Sequence, residues 1–139
     1  MGKVLFTCLM LASQTYNMPP EVLFSIYSIE GGKTGQIVGP NKNGSYDIGP
    51  MQINTIWLPE LAEIWGVDKA TAYKWVRYDT CTNVGVSAWI LRKHYDETGS
   101  MTKAISQYHS RTPHIGAAYK NKVVRNMIEN GWLKPGRRS

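Results

Sequence analysis

Residues 30–54 read EGGKTGQIVGPNKNGSYDIGPMQIN, one carboxylate followed by a long loop punctuated by Gly31, Gly32, Gly35, Gly39, Gly44 and Gly49. Upstream, Leu23, Ile26, Tyr27 and Glu30 recur at helical spacing, so the segment from Glu21 to Glu30 reads as a helix with these four residues on one face. Pro19 and Pro20 open it and the Gly31-Gly32 pair ends it. The Glu30 carboxylate is therefore expected on the buried face of its own helix, at the mouth of the loop. Pro40, Asn41, Asn43 and Asp47 add turn chemistry to that loop, and loops of this length generally serve a site.

Outward from this stretch the chain reads as short helices. Val4, Cys8, Leu11 and Thr15 repeat at helical spacing, as do Leu5, Leu9, Ala12 and Tyr16, which predicts a first amphipathic helix with a broad apolar face. The apolar run behind Lys3 also has the outline of a short signal peptide, but the amphipathic pattern fits a helix of the domain better, with any export signal either already absent from this numbering or never present. The run is too short to span a membrane. Downstream, a short helix is predicted over about 51–65 with an interruption near Pro59, and Asp68 reads as the cap of another over Lys69 to Tyr78. Val84, Ala88 and Leu91 mark a central helix over Asn83 to Tyr95, in which Gly85 is a candidate for close helix approach. Ser100 caps a helix through Tyr108, and Thr112-Pro113 opens a last one running to Asn130, with Gly131 as its stop. Ile37-Val38 reads as isolated between glycines, and only a hairpin near Ser45 to Ile53 has the makings of a sheet. The expected fold class is mainly α, a single domain over residues 1–133 followed by a basic, flexible tail over 134–139.

Composition narrows the function classes. Charged residues make up 19% of the chain, which together with five Trp and eight Tyr argues against disorder and for a packed domain. A net charge of +6 suits a polyanionic partner such as nucleic acid, an anionic membrane or a carboxylate-bearing wall. The basic residues are scattered, however, and no recognition helix or stacking sheet is patterned among them, so nucleic acid is not the expected partner. Cys8 and Cys81 read either as two buried free thiols or, in an exported protein, as a bridge. Such a bridge would close a loop of about 70 residues, worth roughly 4 kcal/mol on the chain-entropy model. No metal site is expected, because the cysteines lie far apart and His94, His109 and His114 form no ligand pair at helical or finger spacing.

For chemistry the residues offer one acid in a favourable place. Desolvation on an apolar face and the negative end of its helix would both raise the pKa of Glu30, which is what a proton donor working near neutrality needs; a partly exposed helix-end glutamate is the plainer alternative. Asp47 is the other candidate, although an Asp in a Ser-Tyr-Asp-Ile-Gly turn commonly bonds its own backbone. Gln52 and Asn54 alternate around Ile53, so both amides are expected on the same side, where they would suit a sugar or an acetamido group.

Four segments in this order resemble the catalytic domain of the soluble lytic transglycosylases, particularly the small members that accompany secretion, conjugation and pilus systems. They are Ile-Tyr-Ser-Ile-Glu-Gly-Gly ending at Gly32, Asn-Gly-Ser-Tyr-Asp-Ile-Gly-Pro-Met-Gln-Ile-Asn over 43–54, Ala-Ile-Ser-Gln-Tyr-His-Ser over 104–110, and Tyr119 in the last helix. Pro50 stands where the family usually has leucine, and His109 where it usually has asparagine. The resemblance implies a lysozyme-like fold, no cofactor, and cleavage of the β-1,4 bond between N-acetylmuramic acid and N-acetylglucosamine in peptidoglycan, with closure of a 1,6-anhydro ring. It assigns Glu30 as the catalytic acid and then base, and Asn43, Met51, Gln52, Tyr108 and Tyr119 as substrate-contacting residues. It further implies a Cys8–Cys81 disulfide, a location in the periplasm or cell envelope, glycan strands and secretion, conjugation or pilus proteins as partners, and a monomer without an integral membrane segment. Two alternatives stand beside it: a hydrolytic muramidase using Glu30 with Asp47 as second acid, and a peptidoglycan-binding module without activity.

Overall fold

A computed structural model describes residues 2–135. Seven α-helices lie among them: α1 (Lys3–Tyr16), α2 (Pro20–Glu30), α3 (Leu58–Trp65), α4 (Lys69–Tyr78), α5 (Thr80–Thr98), α6 (Met101–His109) and α7 (Pro113–Glu129). Between α2 and α3 the chain makes β1 (Ile37–Val38), β2 (Asp47–Ile48), β3 (Ile53–Asn54) and a 3₁₀ turn over Thr55–Trp57. The domain is mainly α, as its helical periodicity predicts. Gly136, Arg137, Arg138 and Ser139 of the expected basic tail lie outside the described residues.

Capping residues set most of the boundaries. Asp68 accepts a hydrogen bond from the Thr71 N–H at 2.7 Å, and Ser100 accepts one from Lys103 at 3.3 Å. Asp79 caps α5 by accepting from Thr82 at 2.9 Å, so the central helix starts at Thr80, ahead of its first apolar stripe. Pro59 does not interrupt a helix. It sits in the first turn of α3, where its missing N–H is not needed, and residues 51–57 before it form turn, strand and 3₁₀ structure instead.

The sheet is slightly larger than a hairpin. Ile37-Val38 is a strand after all, pairing antiparallel with β2 in the register Ile37 opposite Ile48, while β2 pairs with β3 in the register Ile48 opposite Ile53. Each strand has only two residues, too few for an alternating pattern to register in the sequence.

Helix α5 is the axis of the fold and packs against α1, α4 and α6, while α7 packs on α2 and α6. Its burial extends beyond the Val84–Ala88–Leu91 stripe to Val86, Ile90 and His94, because neighbours cover it on several sides. Gly85 is not a point of close approach: a Cβ there would meet nothing. Gly116 has that role, since a Cβ on it would lie 2.3 Å from Ser106 Oγ and 2.7 Å from the Ser106 carbonyl, so only glycine lets α7 lie this tightly on α6.

Cys8 on α1 and Cys81 in the first turn of α5 form a disulfide with Cα atoms 4.7 Å apart. The bridge joins helices that are already packed together and closes most of the N-terminal half of the chain. Reduction is expected to lower the melting temperature clearly, by a loss on the order of 2 to 5 kcal/mol. Melting with and without reductant checks this, and coincident curves would show the bridge to be energetically idle.

Candidate active site

Glu30 is the last residue of α2. Gly31 follows in the left-handed conformation at φ 61° and closes the helix with its N–H on the Tyr27 carbonyl at 2.8 Å. This stop aims the Glu30 side chain out of the helix end and across to α7, where the Tyr119 hydroxyl donates to Glu30 Oε2 at 2.8 Å. The carboxyl is half-buried, and desolvation raises its pKa above the ordinary carboxylate value. The Tyr119 hydrogen bond and the Lys122 charge oppose that rise, and the negative charge of Asp47 reinforces it. The Tyr119 and Tyr108 phenols are themselves pushed far up by burial, so both stay protonated and Tyr119 remains a donor.

The Gly-Pro-Met-Gln turn is pressed against the end of α2. A Cβ on Gly32 would fall 1.9 Å from the Gly49 carbonyl, and the Gly32 N–H donates to the Pro50 carbonyl at 3.2 Å. Gln52 takes a positive φ of 51° and donates from Nε2 to the Gly49 carbonyl at 2.9 Å, which fixes its amide at the cleft wall. The other side of the turn is held by Asn83, which is wholly buried. Its Oδ1 accepts from Met51 N–H at 3.0 Å, while its Nδ2 donates to the carbonyls of Ile48 at 2.9 Å and Val76 at 3.0 Å. Gly49 is required here as well, since a Cβ would meet that amide at 2.3 Å.

Together these elements enclose a cleft of about 240 Å³ in which Glu30 faces Asn41, Asp47, Gln52, Asn54 and Trp57, with Tyr108 and His109 closing the side. The Tyr108 hydroxyl hydrogen-bonds Ser87 Oγ at 2.8 Å, and the His109 ring stacks on Tyr119 with centroids 4.5 Å apart. Partial desolvation of its ring against Tyr119, helped by the Lys122 charge, holds the His109 pKa below its usual value, which favours a neutral ring in this wall.

Not every expected residue takes the place the sequence suggests. Met51 is fully buried and packs in the core beneath the cleft rather than lining it. Asn43 is absent from the cleft lining and turns inward on its own loop, where its Oδ1 accepts from the Ser45 N–H at 3.0 Å. Its neighbour Asn41 reaches the cleft instead. Asp47 does not bond its own backbone. Its Oδ1 accepts from Asn54 Nδ2 at 3.1 Å and its Oδ2 from Asn41 Nδ2 at 3.3 Å, so both oxygens are engaged by side-chain amides. Asn54 also caps the 3₁₀ turn by accepting from Ile56 N–H at 3.0 Å, which makes it part of the wall's framework. Trp57, Asn83 and Lys122 carry no motif of their own and gain their roles only from the fold. Among the described residues no three His, Cys, Asp or Glu side chains converge as a metal site requires.

The model of the transglycosylase SLT domain matches residues 7–128, nearly the whole chain and every segment just described. The chain belongs to the transglycosylase SLT domain family. SLT domains are those of peptidoglycan lytic transglycosylases, and the polar cleft around a half-buried acid fits a glycan substrate. The chain is also similar to the invasion protein IagB of Salmonella typhimurium and that of Salmonella typhi. Each is 27% identical over 123 residues, an alignment spanning 88% of this chain and 74% of the relative. No helix of this SLT domain, among the described residues, is long and apolar enough to cross a membrane.

Proposed function

We propose that the protein cleaves the β-1,4 bond between N-acetylmuramic acid and N-acetylglucosamine in peptidoglycan and leaves a 1,6-anhydro-N-acetylmuramic acid end. The observation that carries this reading is the asymmetry of the two cleft carboxyls. Glu30 is half-buried and shifted toward its protonated form, whereas both oxygens of Asp47 are occupied by Asn41 and Asn54. Glu30 protonates the glycosidic oxygen as the bond from that oxygen to the muramoyl anomeric carbon breaks. The resulting carboxylate, held by the Tyr119 hydroxyl, then takes the proton of the muramoyl C6 hydroxyl as its oxygen bonds to the anomeric carbon. No water is consumed, and Glu30 returns to its starting state.

A retaining hydrolase would place a second carboxylate about 5 Å from the acid as nucleophile, and an inverting one would hold a water with it at greater distance. An Asp clamped by two amides is poorly disposed for either role, whereas the C6 hydroxyl is tethered to the reacting sugar. The released muropeptides are therefore expected to be lighter by one water than hydrolysis products and resistant to borohydride reduction. Mass spectrometry of a sacculus digest decides this. Asp47→Asn is expected to keep the anhydro product even if the rate falls, and reducible ends that disappear with Asp47 would overturn the reading in favour of a muramidase.

The proposed setting is the periplasm or cell envelope, with local opening of the wall for a secretion, conjugation or pilus apparatus. The disulfide supports an oxidising compartment. Similarity to proteins named for invasion favours a specialised use of the activity over general wall turnover.

A further inference from the structure

The start of α1 and the chain that follows α7 meet on a face that the cleft does not use. Lys3 and Phe6 lie one turn apart on α1, so their side chains share a side of that helix. The Phe6 ring rests on Phe24 of α2 with centroids 5.6 Å apart, and Phe24 in turn packs against Trp132 at 5.9 Å. Gly131 brings Trp132 there: at φ 75° it reverses the chain after α7, and the Trp132 N–H returns to the Met127 carbonyl at 2.9 Å. The row of rings is not closed off from solvent. Phe6 is 51% exposed, Trp132 44% and Leu133 42%, and none of the three lines the cleft around Glu30.

The charge that accompanies this row has one sign. Residues 1–20 and 130–139 contain Lys3, Lys134, Arg137 and Arg138 and no Asp or Glu, the first acids beyond them being Glu21 and Glu129. Lys3 and Lys134 adjoin the exposed side chains directly, Lys3 across one turn of α1 and Lys134 as the residue after Leu133. Exposed rings and a leucine bordered by lysines match the surface of an anionic bilayer. Trp and Phe settle at the level of the headgroups, and the ammonium groups reach the lipid phosphates. We propose that Phe6, Trp132 and Leu133, together with Lys3 and Lys134, form a peripheral docking site for an anionic lipid bilayer. Such a contact needs no membrane-spanning helix, and there is none among the described residues. It holds the domain at a membrane surface and leaves the cleft open to substrate. The inference stands on this surface alone and does not depend on the proposed reaction.

The test uses the full-length, oxidised protein and unilamellar vesicles of phosphatidylcholine, either alone or mixed with phosphatidylglycerol. Co-sedimentation is expected to show binding to the anionic vesicles at least about tenfold tighter than to the neutral ones, and weaker as salt is raised. Trp132→Ser is expected to weaken that binding roughly tenfold, the scale of one large side chain withdrawn from an apolar contact. Lys3→Gln and Lys134→Gln combined are expected to cost about as much. Trp75→Ser removes a tryptophan that is also 44% exposed, but on α4, and is expected to leave binding unchanged. Brominated lipid chains are expected to quench part of the wild-type tryptophan fluorescence, and Trp132→Phe, which keeps an aromatic ring, is expected to bind without that quenching. Clearing of sacculi by Trp132→Ser is expected to match wild type, because this ring lies outside the cleft. Salt-sensitive binding that Trp132→Ser leaves intact, with no quenching in wild type, would reduce the contact to net charge and overturn the site. Binding that is absent, or equal on the two kinds of vesicle, would overturn it as well. A dimer that Trp132→Ser dissociates, with no vesicle binding, would assign the rings to a second copy of the chain instead. Should Trp132→Ser fail to fold, the quenching comparison between wild type and Trp132→Phe decides.

Discussion

Replacing Glu30 with Gln is expected to reduce the clearing of purified sacculi by at least about a hundredfold, the scale of a lost general acid. Gln keeps the size of the side chain and an acceptor for the Tyr119 hydroxyl, but it cannot give up a proton and regain it. The variant is expected to fold at least as well as wild type. Because the folded protein holds the Glu30 pKa above its ordinary value, the folded state binds more proton than the unfolded one between those two values. Stability contributed by this group is therefore present below the ordinary carboxylate pKa and is lost as pH rises through the folded one. Near neutrality Glu30 is a liability to the fold, and Glu30→Gln removes it. The same raised pKa places the alkaline limb of the wild-type rate profile above the usual carboxylate range. Melting curves and clearing rates measured on one preparation check both halves, and near wild-type clearing by a folded variant would eliminate the acid mechanism.

The placement of this acid was legible in the chain because its causes are local. A stripe of Leu23, Ile26 and Tyr27 orients the helix, and Gly31 ends it one residue after the acid. Asp68 and Ser100 as caps were legible for the same reason. What escaped the sequence depends on partners distant along the chain. The turn containing Met51 and Gln52 rests on Asn83, more than thirty residues away, which buries Met51 and leaves only Gln52 at the wall. Asn41 and Asn43 are alike in type and context, and only the β1–β2 pairing decides that Asn41 reaches Asp47 while Asn43 closes a turn on Ser45. Gly85 and Gly116 are both helical glycines, and nothing local to either tells which one a neighbouring helix will touch. Trp57 reaches the cleft because a 3₁₀ turn capped by Asn54 rotates it there, a consequence of the very strand that is too short to see.

Asn83 is the residue on which these distant effects converge, and Asn83→Leu is expected to be among the most damaging single changes outside the acid itself. Leucine is similar in volume, so the loss would not come mainly from a cavity. It comes from stranding the Met51 N–H and the Ile48 and Val76 carbonyls in a site that solvent does not reach. Each stranded group costs about 1–3 kcal/mol, and with partial relaxation the total is on the order of 4 kcal/mol. For a domain of this size that corresponds to a fall in melting temperature of more than about 10 °C. Activity is expected to fall further than the folded fraction does, because the released turn carries Gln52 and abuts Gly32, while Glu30 and Tyr119 stand on α2 and α7. Asn83→Asp supplies an internal check. It keeps an acceptor for Met51 N–H, but when ionised it sets a negative charge against the Ile48 and Val76 carbonyls; when protonated, it regains one donor. Burial among acceptors raises its folded pKa, so its stability relative to wild type is expected to be best at acid pH and to fall as pH rises through that value. Thermal melts of the oxidised protein across pH measure this. A shift of less than about 3 °C for Asn83→Leu, on the same scale, would mean that the turn finds other partners and that the cleft wall does not depend on α5.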